Sequence, residues 1–378
     1  MRIAFYAPLK SPTHGTPSGD RRVAGLLMDA LAGAGQRVEL ASTFRSFDGH
    51  GDPARQRALQ RQGEAFGAQL AEQWRSFAAS ERPELWFTYH LYYKAPDWLG
   101  PVVCDALRIP YVIAEASYAP KRAEGPWSIG HEATAAAIRK ASLVFCPSRD
   151  DIACLEPLIE AKRIRYLPPF VDIAPYAEAV KRRDSIRSRM AHELGLEPRR
   201  PWVVVAAMMR EGDKLASYRA LAAALARNLD IEWQLVIAGD GPAHAEVEDA
   251  FLQCGILERS RLLGALPARK LTEVFAACDL YAWPAVNEAY GMALLEAQAA
   301  GVPVVSCATR GVPDVVVNGR TGLLVPYGDE AALAQNIRNL LLDHERRRAL
   351  GAEAGRFAAN ERSVEAAAAQ LSTALAGL

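Results

Sequence analysis

The 378-residue sequence has no surplus of charge, since 44 Lys and Arg residues stand against 44 Asp and Glu. A balanced chain gives no global pull toward nucleic acid or a strongly anionic partner, so nucleic acid is excluded as an expected partner. Its six cysteines, Cys104, Cys146, Cys154, Cys254, Cys278 and Cys307, contain no Cys-x-x-Cys pair, and most lie in apolar strand-like runs. They read as reduced core thiols of a cytosolic protein. The seven histidines form no His-x-x-x-His pair, and no Asp-x-Asp occurs. Together with the absence of zinc-type cysteine spacing, this sets the expectation of no metal site and no cofactor. A Gly-x-Ser-x-Gly elbow and a Walker loop are also missing, which removes two common catalytic signatures. There is no run of about 18 apolar residues, and the opening segment is broken by Pro8 and Pro12 too early for a signal peptide. The expectation is a soluble, cytoplasmic chain, with peripheral contact at the inner membrane face left open.

What is present begins with length. Single cores stop growing at about 250–300 residues, so this chain favours two domains. Arg2 to Ala7 is a short apolar run leading into a Pro- and Gly-rich loop and then a helix from about Asp20 to Ala34. Strands are expected near Val38–Thr43, Leu85–Tyr89, Tyr111–Glu115, Leu143–Pro147 and Ile164–Leu167, with helical stretches between them. The proline-rich segment Leu167–Tyr176 interrupts the series and reads as a hinge. A second series follows at Trp202–Met208, Trp233–Ala238, Arg261–Gly264, Leu280–Trp283, Val302–Ser306 and Leu323–Val325. The alternation predicts an α/β protein with two Rossmann-like, doubly wound parallel sheets facing across a cleft. Residues 1–169 form the first domain, 170–358 the second, and 359–378 a C-terminal helix.

The stretch Pro284 to Gly301 organises the second half. It holds Glu288 and Glu296, eight positions apart, and Glu296 is the only charged residue between Ala289 and Thr309. Glu296 sits in what reads as a buried helix, where a carboxylate needs a partner. Glu288 precedes the expected helix start at Tyr290-Gly291, so the pair brackets a helix N-terminus, which offers N–H groups and positive dipole character to an anion. A sugar nucleotide would satisfy all three groups. From the residues alone, the alternative is a core Glu paired to a distant Arg or Lys.

This segment resembles the Glu-x7-Glu motif of retaining glycosyltransferases with the GT-B fold, most closely glycosyltransferase family 4. The resemblance implies that Glu288 contacts the donor sugar and Glu296 the ribose, with Tyr290, Gly291 and Met292 lining the donor site. It assigns Arg210 and Lys214, after the first strand of the second domain, to the donor diphosphate. Gly239 and Gly241 match the family's Gly-x-Gly-Pro turn, Gly264 lies in the stretch that meets the base, and Gly19 matches a glycine-rich turn facing the diphosphate and acceptor. In much of the family a His closes the strand at Tyr111–Tyr118, and here the match places Ala116 at that position. Glu115 remains beside it, and His90, closing the preceding strand, is the nearest candidate to occupy the vacated space; a site role falls to either of the two, the alternative being a structural histidine satisfied at a strand end. The family also implies that the last helix packs back on the first domain.

Lys121 and Arg122 could hold an anionic acceptor, but read equally as a solvated pair. The basic run Lys181-Arg182-Arg183 with Arg187 and Arg189 could touch anionic lipid, though a solvated helix face is the simpler reading. The resulting expectation is a metal-independent, retaining hexosyltransferase. It would move sugar from a nucleotide-diphosphate-sugar on the second domain to a glycan, lipid-linked or small-molecule acceptor on the first. Its rivals are a non-hydrolysing sugar-nucleotide epimerase and a non-catalytic nucleotide- or glycan-binding relative.

Overall fold

A computed structural model describes residues 1–16 and 18–378. The chain divides into two compact units, Met1–Pro168 with Val364–Leu378, and Pro169–Ser363. Each is built on a six-stranded sheet whose pairings are all parallel.

The first sheet contains β1 (Arg2–Tyr6), β2 (Arg37–Ser42), β3 (Leu85–Leu91), β4 (Tyr111–Ala116), β5 (Leu143–Cys146) and β6 (Ile164–Tyr166). Its order is β2-β1-β3-β4-β5-β6. The second contains β7 (Trp202–Ala206), β8 (Gln234–Ala238), β9 (Ser260–Leu262), β10 (Leu280–Trp283), β11 (Val304–Ala308) and β12 (Gly322–Pro326). Its order is β12-β11-β10-β7-β8-β9. Every strand expected from the sequence is present, and the near-continuous apolar runs follow from helices covering both faces of a parallel sheet. Differences are confined to strand ends. The strand expected to reach Met208 stops at Ala206, because the chain turns there toward the Gly239–Gly241 loop: Met209 N–H donates to the Asp240 carbonyl at 2.9 Å.

In an open sheet of this kind the chain order reverses at one place, and loops leaving the two central strands diverge there. That switch point falls between β1 and β3 in the first unit and between β7 and β10 in the second.

The last helix, Val364–Leu375, belongs to the first unit and packs on the helix Gly19–Gly33. The preceding helix, His344–Glu361, runs through the boundary expected after Ala358, which therefore lies inside a helix. The basic run is also different from expectation. On the helix Arg183–Leu194, Arg183 and Arg187 pair with Asp279 at 2.7 and 2.9 Å, and Arg189 pairs with Glu273 at 2.5 Å. These arginines are not a merely solvated face, since they tie their helix to the second unit's core elements. Among the described residues no helix is long and apolar enough to cross a membrane.

Candidate functional site

The candidate site in the second unit is built from the loops that leave β7, β8, β9 and β10. The β7 and β8 loops are knit by glycine. A Cβ on Gly239 would lie 1.9 Å from the Ala207 carbonyl oxygen, and one on Gly241 would lie 2.3 Å from that of Met209. Only a residue without a side chain allows this backbone approach. Gly239 N–H donates to the Gly264 carbonyl at 2.8 Å, and Ala243 N–H to that of Met209 at 3.0 Å. The three glycines singled out in the sequence are thus joined at the ends of adjacent strands, directly beside Arg210.

The loop after β10 is held in an uncommon backbone conformation. Ala285 and Asn287 have φ of 57° and 50°, and Arg310, on the loop after β11, has 43°. Such residues persist only where the surroundings fix them. Here Val286 N–H donates to Ser217 Oγ at 3.0 Å, Asn287 Nδ2 to Asp213 at 2.8 Å, and Arg310 to Asn287 Oδ1 at 3.0 Å. Gly311 N–H closes the set on the Ala289 carbonyl at 2.9 Å.

The consequence is the placement of Glu288. Its Oε2 forms an ion pair with Lys214 Nζ and accepts from Trp283 Nε1 at 3.4 Å, while the Lys214 ammonium lies 5.7 Å from the centre of the Trp283 ring. Lys214 and Glu288 retain 32% and 18% side-chain exposure, so the pair is open enough to exchange partners. Arg210 is exposed, and among the described residues its guanidinium forms no hydrogen bond or ion pair.

Gly291, with φ of 73°, caps the helix Met292–Ala299, and a Cβ there would meet Leu294 at 2.8 Å. Tyr290 is half-buried against the core, Met292 is half-buried at the first helical position, and Glu296 is 4% exposed inside the helix. The buried Tyr281 phenol reports where the two glutamates sit. Burial first, then the Glu288 and Glu296 carboxylates, push its pKa well up. Both carboxylates are therefore electrostatic neighbours of one β10 side chain.

In the first unit the sequence-assigned residues gather at the β1–β3 switch point. Gly19 is exposed at the start of its helix, and Ser18 caps it by accepting from Arg21 N–H at 3.2 Å. His90 and Glu115 are the next-to-last residues of β3 and β4, both with left-handed backbones at φ of 58° and 62°. His90 Nδ1 donates to Asp20 Oδ1 at 2.9 Å, and its Nε2 lies 3.8 Å from Glu115 Oε1. Burial alone would lower the His90 pKa, but Glu115 and Asp20 outweigh it and raise it. Burial alone would raise that of Asp20, but the His90 hydrogen bond and charge, a backbone hydrogen bond and the Lys10 charge together outweigh it and lower it. Ala116 is 1% exposed in the core, so no polar group stands where the resemblance has a His.

Sequence reasoning missed Asp20, Trp283, Ser217, Asn287 and Arg310. Asp20 carried a readable signal, an acid in the first helical turn after β1, but that pattern also suits a helix dipole. Lys121 lies in a short 3₁₀ turn with Arg122, whose guanidinium stacks 5.4 Å from the Tyr93 ring centre and 5.8 Å from that of Trp127.

Comparison with known proteins gives the class. The chain superposes over its whole length on Anabaena HepE solved with UDP, at a TM-score of 0.73 and 19% identity, covering all of both chains. It also matches sucrose-phosphate synthase from Thermosynechococcus elongatus at a TM-score of 0.70 and 20% identity, over 100% of this chain and 98% of that one. These likenesses show the GT-B fold. Residues 203–357 match the family described as glycosyl transferases group 1. The D-inositol 3-phosphate glycosyltransferase of Xylanimonas cellulosilytica is 30% identical over 313 residues, 78% of this chain and 73% of that protein. Matches to the corresponding proteins of Corynebacterium diphtheriae and Corynebacterium efficiens are shorter, spanning 34% and 50% of their lengths. The chain belongs to the group 1 glycosyl transferases and is a glycosyltransferase enzyme.

Proposed function

We propose that this enzyme is a metal-independent, retaining hexosyltransferase that uses a nucleoside-diphosphate-sugar and acts in the cytoplasm on a glycan, lipid-linked or small-molecule acceptor. The observation that carries the reading is the cationic pair Arg210 and Lys214 at the β7–β10 switch point, beside the N-terminus of the helix Met292–Ala299.

When the bond between sugar and diphosphate breaks, negative charge builds on the departing phosphate. Two cations and free helix N–H groups are suited to that charge, and stabilising it more in the transition state than in the ground state is the catalysis. Glu288, tied to Lys214 without a ligand, would meet the donor sugar. Glu296 would take the ribose diol, Gly239 and Gly241 would let the backbone approach the diphosphate, and the Gly264 stretch would meet the base. Tyr290, Gly291 and Met292 would form the surrounding wall. The acceptor would attack from the face the diphosphate leaves, with a phosphate oxygen taking its proton, so no protein base is required. HepE was solved with UDP and with UDP-glucose, which supports testing the uridine series first.

The experiment is thermal stabilisation by UDP, GDP, ADP and CMP, each with its common sugar forms, on wild type and Glu296→Gln. A ligand at 100 times its dissociation constant adds about 2.7 kcal/mol. One series should raise the wild-type midpoint, with a smaller gain in the variant, and turnover of that donor should survive EDTA. No shift from any series would overturn the donor site.

A further inference from the structure

We propose that Glu288 masks Lys214, so that the site favours a sugar nucleotide over the bare nucleoside diphosphate left when the sugar has gone. The inference rests on the donor reading above, and every residue it uses lies in the second unit.

The mask is a contact between two dipeptides. Asp213-Lys214 opens the helix Asp213–Ala226, and Asn287-Glu288 lies in the loop after β10. Glu288 Oε2 pairs with Lys214 Nζ, while beside it Asn287 Nδ2 donates to Asp213 Oδ2 at 2.8 Å. Arg310 Nη1 donates to Asn287 Oδ1 at 3.0 Å, so the amide spans a carboxylate and a guanidinium with its dipole aligned to both. Asn287 and Arg310 keep left-handed backbones within this chain of bonds. None of these bonds passes through the side chain of Lys214 or Glu288. The frame therefore survives when Lys214 changes partner, and Glu288 stays where it is.

Charge makes that fixed position matter. Lys214 is matched by Glu288, and Arg310 meets Asp213 through the amide. Arg210 forms no ion pair among the described residues, so it is the cation an arriving diphosphate meets without competition. The diphosphate gains Lys214 only by drawing it away from Glu288. That carboxylate is 18% exposed and then keeps Trp283 Nε1, at 3.4 Å, as its hydrogen-bond donor. A partly desolvated carboxylate beside a phosphate anion is unfavourable.

A sugar on the diphosphate relieves this. One of its hydroxyls can donate to Glu288 in place of the ammonium, which releases Lys214 to the phosphate. The bare nucleotide brings no such donor, and the oxygen that held the sugar now adds negative charge next to the carboxylate. Glu288 thus disfavours the spent nucleotide through both hydrogen bonding and charge. Once the sugar has been transferred, Glu288 reclaims Lys214 and the nucleoside diphosphate is displaced.

The test uses the full chain as wild type, Glu288→Gln and Glu288→Ala. Gln keeps the side chain's shape, and Ala checks that the effect follows the lost charge, since the amide's own N–H could reach a phosphate. Calorimetry at low and at high salt measures binding of UDP, GDP and ADP, and of UDP-glucose, GDP-mannose and ADP-glucose. The bare nucleotide should bind at least about threefold tighter to both variants than to wild type at low salt. That gain should shrink at high salt, because an ion pair is screened and a merely altered shape is not. The sugar form should gain less or weaken, so its advantage over the bare nucleotide should fall. Nucleotide binding that is unchanged or weaker in both variants, or a gain that salt leaves untouched, overturns the inference and leaves the donor reading intact. Bare nucleotide bound by the variants and not by wild type would be the strongest support for the mask. Silence from wild type and both variants with every ligand removes the donor reading and the inference together.

Discussion

At the β7–β10 junction the cation is a lysine beside an exposed arginine, and a single glutamate holds the lysine in place. At the β1–β3 junction the cation is a histidine, and it is bracketed by two carboxylates. The same topological feature thus carries opposite electrostatics in the two units. Lys and Arg keep their charge across the physiological range and suit a permanent anion, whereas His can exchange charge near neutrality and suits a hydroxyl. The difference teaches that the sheet supplies the location while the residues on four or five strand ends supply the chemistry.

The sharpest way to break this comparison is to remove the lysine. Lys214→Met should lower turnover about 100-fold, about 2.7 kcal/mol of transition-state stabilisation, because it deletes a cation and leaves Glu288 without its partner. The measurement is kcat at saturating donor, and near-normal turnover would dissociate the second switch point from catalysis. Arg210→Ala should cost at least tenfold, about 1.4 kcal/mol, with an unchanged unfolding midpoint, since the guanidinium has no partner among the described residues to lose. Gly241→Ala probes the same site through its frame. The added Cβ meets the Met209 carbonyl, so urea denaturation should show about 1–3 kcal/mol of lost stability.

The second unit was more legible in the sequence than the first, and the reason is physical. A lone carboxylate in an apolar helix and glycines after strands are constraints that local sequence expresses directly. Glu296 and the Gly239–Gly241 turn could be located because a buried charge and a close backbone approach restrict which residue fits. The Asp20–His90–Glu115 cluster is assembled by topology from three segments up to 95 residues apart, and no local pattern announces it. Likewise, Asp279 and Glu273 could not be matched to Arg183, Arg187 and Arg189 before the helix Arg183–Leu194 was placed against them. That pairing is why a basic run expected to be solvated is largely committed within its own unit.

A smaller effect separates the two junctions by pH. The folded state raises the His90 pKa, so its contribution to stability is complete below about pH 6.5 and is lost as pH rises through the higher folded value. It lowers that of Asp20, whose contribution is present above 3.8 and is lost as pH falls through the lower folded value. The stability difference between wild type and His90→Asn should therefore be largest between these limits and shrink at alkaline pH. Urea midpoints at pH 5, 6.5 and 8.5 would check this. A difference that is flat across the series would mean that the histidine is held by packing, and the contrast with Lys214 would lose its electrostatic basis.

The smallest effect concerns backbone strain rather than charge. Glu115→Ala and Glu115→Gly both remove the carboxylate facing His90, so any common loss of stability belongs to the side chain. They differ in the left-handed backbone at φ of 62°. An L-residue there costs about 1–2 kcal/mol, partly offset by glycine's greater entropy in the unfolded chain. The Gly variant should therefore be the more stable of the two by about 0.5–1 kcal/mol in urea denaturation. If Ala were as stable as Gly, the β4 end would be unstrained, and the placement of Glu115 would have to be explained by its charge alone.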